Sequence, residues 1–337
     1  MAIIAAGALG APACGLGDKA QLERRITSAP ARYDGTIVSG TIAVESRLLK
    51  VPAGVGALGA AGAPGAPAGA GPSSPPATAA RFPPEGVSLG TRGVGFILDL
   101  ESSRAALVDA EAQPTDPKVV FDDLVLYGRR GGVPADDARP WVRLDLDELD
   151  DAAGALDPLD GRAVDALYAL PPALLTDLVA GALTGSIEKR TGGALEAGST
   201  HYAVNVSIRK ALRDTRRSRY PERRRESVED LLRLLGVVGD LHRGEVWLDA
   251  KGRLRRFRIE FRQEPLRKVE FRMIVSVDVS PSATDDQPDR FRTPRVDQVL
   301  GVDSVLRFTS TVVATAEEDE TAPAGAPPPP AAPGATP

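Results

Sequence analysis

The sequence predicts an α+β fold in which an antiparallel β-sheet has one apolar face covered by helices. Several segments alternate strictly between apolar and polar residues, two segments between them carry apolar stripes at helical spacing, and one short turn joins two alternating runs as a hairpin. Period-two alternation gives a strand one dry face and one wet face, as antiparallel sheets have.

In chain order, Asp18 to Ala31 predicts a short charged helix. Tyr33 to Lys50 predicts a strand, in which Val38, Ile42 and Val44 share one parity. Positions 52–84 are almost wholly Ala, Gly, Pro and Ser. Such a stretch cannot bury enough surface to offset its ordering entropy and is expected to be a disordered insert within the domain. Phe96, Leu98 and Leu100 alternate with Ile97, Asp99 and Glu101, and Val142, Leu144 and Leu146 with Arg143, Asp145 and Asp147. Leu174, Leu175, Leu178, Val179 and Ala182 form a helical stripe after Pro171 and Pro172, with Pro172 suited to a first helical turn. Tyr202, Val204, Val206 and Ile208 return to strand alternation. Val228, Leu231, Leu232, Leu235 and Val238 form a second helical stripe, with Ser227 and Asp230 placed like a capping pair. Phe257, Ile259 and Phe261, then Val269, Phe271, Met273, Val275, Val277 and Val279, predict two more strands. Asp249-Ala250-Lys251-Gly252 is expected as a hairpin turn, with Gly252 supplying positive φ. The acidic, Pro-rich positions 317–337 are expected to be a disordered tail, leaving one domain over 14–316.

Composition narrows the function. At 42% hydrophobic the chain is globular, and its net charge of −5 implies no polyanionic partner for the whole molecule. A single Cys excludes an internal disulfide framework and a cysteine-based zinc site. With only His201 and His242, a histidine metal centre or catalytic triad is not expected, and no phosphate-binding or dinucleotide fingerprint stands in a strand–helix context. The expectation is a binding protein without metal or cofactor, rather than an enzyme.

Met1 to Ala13 is an apolar run that ends in small residues just before Cys14. That is the form of a secretory signal over 1–13. The placement of Cys14 resembles the lipobox of bacterial lipoproteins, although Ala11 stands where Leu is usual. It implies acylation of the Cys14 thiol and a membrane anchor outside the cytoplasm. A plain secretion signal, or an apolar first helix with a buried thiol, are the other readings of the same residues.

A wider resemblance rests on five tracts: T-I-V-S-G-T-I-A-V (Thr36 to Val44), V-V-F-D-D-L-V-L-Y (Val119 to Tyr127), R-P-W-V-R-L-D-L (Arg139 to Leu146), T-H-Y-A-V-N-V (Thr200 to Val206) and E-V-W-L-D-A-K-G-R-L-R-R-F (Glu245 to Phe257). In content and order the chain resembles the LppX/LprA/LprF/LprG lipoproteins of actinobacteria, which share the LolA-like fold. The resemblance implies a curved antiparallel half-barrel with helices across its concave face. Between them it implies an apolar cavity for a lipid or glycolipid ligand. The residues that would line that cavity are Phe96, Leu98, Val142, Leu144, Leu178, Tyr202, Val204, Val206, Leu232, Leu235, Phe257, Ile259 and Phe271. The alternation itself leaves open whether this face holds a cavity or a packed core. In the latter case the chain is expected to be a regulatory or envelope-protein interaction module.

Arg209 to Arg225 is rich in Arg and Lys. It reads as a solvated helix face or as a contact for anionic head groups, at about 1 kcal/mol per contact. Export and the interspersed Asp214 and Glu222 argue against nucleic acid. The acidic tract Asp145 to Asp160 lacks the spacing of a calcium loop. His201 is expected at the surface, and Tyr202 and Trp247 in the core.

Overall fold

The computed structural model of the chain describes residues 14–33, 37–50, 88–108, 117–131, 137–148, 166–183, 186–191, 195, 198–214, 222–266, 269–281 and 291–318. The signal segment 1–13, the insert 52–84 and the tail beyond 318 lie outside the described residues.

The fold is α+β, dominated by one large and mostly antiparallel sheet that does not close. Its strands are β1 (Ile37–Lys50), β2 (Ser88–Asp99), β3 (Ala105–Val108), β4 (Val119–Asp122), β5 (Val125–Arg129), β6 (Trp141–Asp145), β7 (Glu188–Arg190), β8 (Thr200–Ser207), β9 (Leu241–Leu248), β10 (Leu254–Leu266), β11 (Val269–Pro281) and β12 (Val299–Val302). Their order across the sheet is β12-β6-β5-β4-β3-β2-β1-β11-β10-β9-β8-β7. Among the described strands only β12, beside β6, is parallel. The long strand β1 lies between β2 and β11, and register sets like against like on one face: Val38 opposite Leu98, Ile42 opposite Val277, Val44 opposite Val275. This face carries the core. The β9–β10 hairpin turns as expected, with Gly252 at φ +79° and its N–H donating to the Asp249 carbonyl.

Among the described residues five α-helices accompany the sheet: α1 (Cys14–Thr27), α2 (Pro172–Asp177), α3 (Ile208–Asp214), α4 (Glu222–Leu234) and α5 (Val305–Glu318). The first expected stripe is split. Leu174 and Leu175 belong to α2, Leu178 to Gly181 tighten into a 3-10 turn, and Ala182 bridges to Val206 of β8. Helix α5 approaches β5 closely at Gly128, where an added Cβ would lie 2.3 Å from a methyl of Val312. A side chain there would push α5 off the sheet.

Three local expectations are corrected. Ile208 does not extend its strand. It opens α3, because the Ser207 hydroxyl accepts from the Lys210 N–H at 3.0 Å and Asp240 Oδ1 accepts from the Arg209 N–H at 2.8 Å. That is a helix cap, which ends the strand. Ser227 and Asp230 do not cap α4, since that helix starts at Glu222; the Ser227 hydroxyl instead donates to Asp147 Oδ1 at 2.6 Å. Val238 is not on α4 either. Gly236 at φ +71° ends the helix, with the Val237 N–H reaching back to the Leu232 carbonyl, a Schellman closure.

Candidate functional site

The thirteen residues expected to line a lipid cavity all lie on the inner, helix-covered side. Twelve of them belong to one continuous core. Phe271 is fully buried apart from that cluster, opposite Leu48 and Gln263 in register. None of the thirteen is more than 5% exposed, and Leu98, Val142, Leu144, Leu178, Val206, Phe257, Ile259 and Phe271 are at 0%. A void wide enough for an acyl chain would leave its walls accessible to water. Two of the thirteen touch open concavities: Val204 borders a groove on the opposite face, and Leu232 a hollow of about 210 Å³ beside Gly239 and Asp240.

Polar atoms on the inner face are few. His242 is buried at 4% exposure, edge-on to Phe261, with its Nε2 3.2 Å from the Gly239 carbonyl oxygen. Burial holds its imidazole below the ordinary histidine range, against the opposing pull of the Gly239 bond and the Asp240 charge. Gln263 donates its amide to the Leu235 carbonyl and faces the Met273 thioether. Its Oε1, like the Ser46 hydroxyl, is buried without a partner. Ser46 pairs in register with that same Met273, so two orphaned polar atoms flank one methionine in an otherwise apolar layer.

The outer face is built differently. Across β8 to β11, strand register lines up residues far apart in sequence. His201 opposes Trp247, Ala203 opposes Glu245, Glu245 opposes Arg258, and Glu260 opposes Ile274. A ladder of polar and charged side chains results. His201 Nε2 stands 3.5 Å from Glu245 Oε1, Glu245 pairs with Arg258 at 3.1 Å, Arg258 reaches Glu260 at 3.6 Å, and Glu260 pairs with Arg272 at 3.2 Å. Over this ladder opens a groove of about 650 Å³, bordered also by Ser186, Glu188 and Arg190 from the β7 edge and by Asn205 and Arg243. A second hollow of about 370 Å³ continues over Glu45, Trp247 and Arg256. Both carboxylate oxygens of Glu260 are engaged by Arg258 and Arg272. Arg243, its cross-strand neighbour, is exposed and has no ion pair among the described residues.

Two further expectations are corrected here. Trp247 is buried at 7% exposure but not in the core. It lies on the outer face, stacked on His201 at 4.2 Å with planes 5° apart, and the Arg256 guanidinium sits 5.8 Å from its ring centroid. His201 is on the wet parity as expected, yet that stack covers it to 12% side-chain exposure. On the same face Ile97 and Ala106 are covered by Phe291, which the alternation of β2 gave no reason to expect.

Of the basic tract Arg209 to Arg225, Lys210 turns inward. Its ammonium donates to the Ala180 and Ala182 carbonyls and to Glu23 Oε1 at 3.0 Å, tying α1 to α3 and the 3-10 turn. Arg209 and Arg213 are exposed, and positions 215–221 lie outside the described residues. Cys14 opens α1. No protein-family profile matches the chain, and no curated protein or solved structure matches it.

Proposed function

We propose that this chain is an exported, membrane-tethered binding module whose working surface is the charged outer face of β7 to β11, and that its partner is an envelope protein presenting carboxylates to Arg243. One observation carries this reading. The inner-face residues are sealed against solvent, whereas the groove of about 650 Å³ opens over the charged ladder. Half-exposed ion pairs contribute only about 0–1 kcal/mol each to stability. Four strands carrying such a ladder are therefore better accounted for by recognition than by folding. Interdigitated Arg and Glu favour a charged polypeptide over an apolar ligand, and the Arg243 guanidinium, without an ion pair among the described residues, suits a carboxylate fork. Tethering rests on the apolar run before Cys14. Intact-mass analysis should find acyl mass on Cys14, and Cys14→Ser should release the chain from membranes.

The test uses a photo-crosslinker at Asn205 in the full chain in its native host. A protein adduct should form and should be lost in the Arg243→Glu, Arg258→Glu double variant. Stoichiometric lipid in organic extracts of the purified protein, with no such adduct, would overturn this reading.

A second reading is a lipid or glycolipid carrier of LolA-like, half-barrel form, and it is favoured by the orphaned Ser46 hydroxyl and Gln263 Oε1. Unpaired buried polar atoms are costly, and the ester or hydroxyl groups of a lipid head would satisfy both. In that case the helical cover parts from the sheet. A long acyl chain entering there gains roughly 10 kcal/mol at about 0.8 kcal/mol per CH₂, before entropic losses.

A further inference from the structure

We propose a binding site for a phosphate-bearing anion at the end of the molecule where α1 meets the β9–β10 turn, held by Arg25 and Arg32. The two guanidinium groups come from different turns of chain and converge on one place. A Cβ built on Gly252 would lie 3.3 Å from Arg25 Nε, 3.8 Å from Arg25 Nη2 and 3.4 Å from Arg32 Nη1. Both forks therefore stand over the one residue of the turn that presents no side chain.

Neither cation has an anionic partner among the described residues. Arg25 is half-buried and makes no hydrogen bond or ion pair there, and Arg32 donates only from Nε to the Ser28 hydroxyl at 3.1 Å. The turn's own carboxylate is committed elsewhere. Asp249 accepts from Arg253 Nε at 2.7 Å and from the Arg253 backbone N–H at 2.9 Å. These bonds outweigh burial and hold its carboxyl below the usual range, so it stays ionised and engaged. Lys251, Arg253 and Arg255 add positive charge around the same turn.

Capping of the α1 C-terminus does not account for Arg25. The Ser28 hydroxyl takes that role, donating to the Arg24 carbonyl at 2.6 Å, while Arg25 bonds no carbonyl among the described residues. Two like charges brought together without a counter-charge repel each other, and an anion seated between them removes that cost. Two planar forks match the several oxygens of a phosphate group better than the two of a carboxylate. Gly252 is needed at this spot twice over, for its φ of +79° and because a Cβ would fill the seat.

A free phosphate compound and a lipid phosphodiester share this chemistry. The head-group source is geometrically reasonable, since Arg25 lies about 16 Å along α1 from Cys14 at 1.5 Å per residue.

The test uses the full chain carrying Cys14→Ser, so that no acyl group confuses membrane binding. Titration with inorganic pyrophosphate should show saturable, salt-sensitive binding, weakened at least about tenfold by Arg25→Gln and by Arg32→Gln. Arg25→Lys, which keeps charge but loses the fork, should fall between. If phosphatidylglycerol vesicles bind the chain, phosphatidylcholine vesicles do not, and both Gln variants abolish that binding, the site stands with a head group as its source. Pyrophosphate binding alone, with the same loss, leaves a soluble phosphate compound as the source. Unchanged melting temperatures in the variants confirm that the fold is intact. Binding of neither probe, or equal binding by wild type and the double Gln variant, would overturn the proposal.

Discussion

The two faces of β8 to β11 are made by the same strands and behave as different materials. The inner face is aliphatic and aromatic, sealed, and continuous with the helices above it. The outer face is a lattice of Arg, Glu, His and Trp, open to a groove and held by interactions that each contribute little to folding. Residues facing inward are therefore expected to govern stability, and residues facing outward to govern binding, even when they are sequence neighbours such as Phe257 and Arg258.

That contrast can be broken by substitution. Phe257→Ala removes a fully buried ring and should cost about 3–5 kcal/mol in denaturant unfolding. A loss under about 1 kcal/mol would mean that the inner face is loosely filled. Val206→Trp comes next. Val206 has no exposed surface and lies against Gly181, whose added Cβ would sit 3.0 Å from a Val206 methyl. Overpacking should cost about 1–3 kcal/mol. A fold of wild-type stability, coupled with loss of extractable lipid, would instead support the carrier reading.

His242 gives a smaller effect with a defined sign. Its folded pKa is depressed below the ordinary 6.5, so the unfolded chain takes up the proton more readily than the folded one. Its stabilising contribution is full above about pH 6.5 and is lost as the pH falls through the folded value. Melting temperature should drop from pH 7.5 to pH 5.5, and His242→Gln, which does not titrate, should show a shallower drop. An identical slope would assign the acid sensitivity elsewhere. The smallest effect on stability is expected for Arg258→Met, within about 1 kcal/mol of wild type. The same change should abolish crosslinking from Asn205. Unfolding by several kcal/mol would show that the outer ladder is structural after all.

Much of the inner face was legible in the sequence, because burial on one side of a strand imposes period two at every position. Phe257, Ile259 and Phe261 declare their face without help from neighbours. The outer ladder was not legible in this way. Glu245 meets Arg258 through the hairpin, but His201 and Arg272 join them only because β8 and β11 flank that hairpin in register. Trp247 was expected in the core; that it is instead covered on the outer face depends on His201 and Arg256 arriving from other strands. The two orphaned polar atoms beside Met273 come from β1 and β10 and had no shared signal at all. The parallel strand β12 gave no signal because it is only four residues long and is placed by pairing with β6, whereas α5 carries Val305, Phe308 and Val312 at helical spacing, a stripe the sequence does show.

What this sequence determined by itself was the class of the fold, the inward set of the long alternating strands and the β9–β10 turn. All of these depend on local rules of side-chain parity and backbone dihedrals. Tertiary structure decided where α3 begins and which partner Ser227 takes. Ser207 caps α3 only because Asp240 is brought beside it, and Ser227 sits mid-helix with Asp147 as its partner. It also decided which charges meet and which stand alone. Coulomb and hydrogen-bond energies act over a few ångströms, and those distances are set by pairing between segments that the linear pattern cannot place side by side.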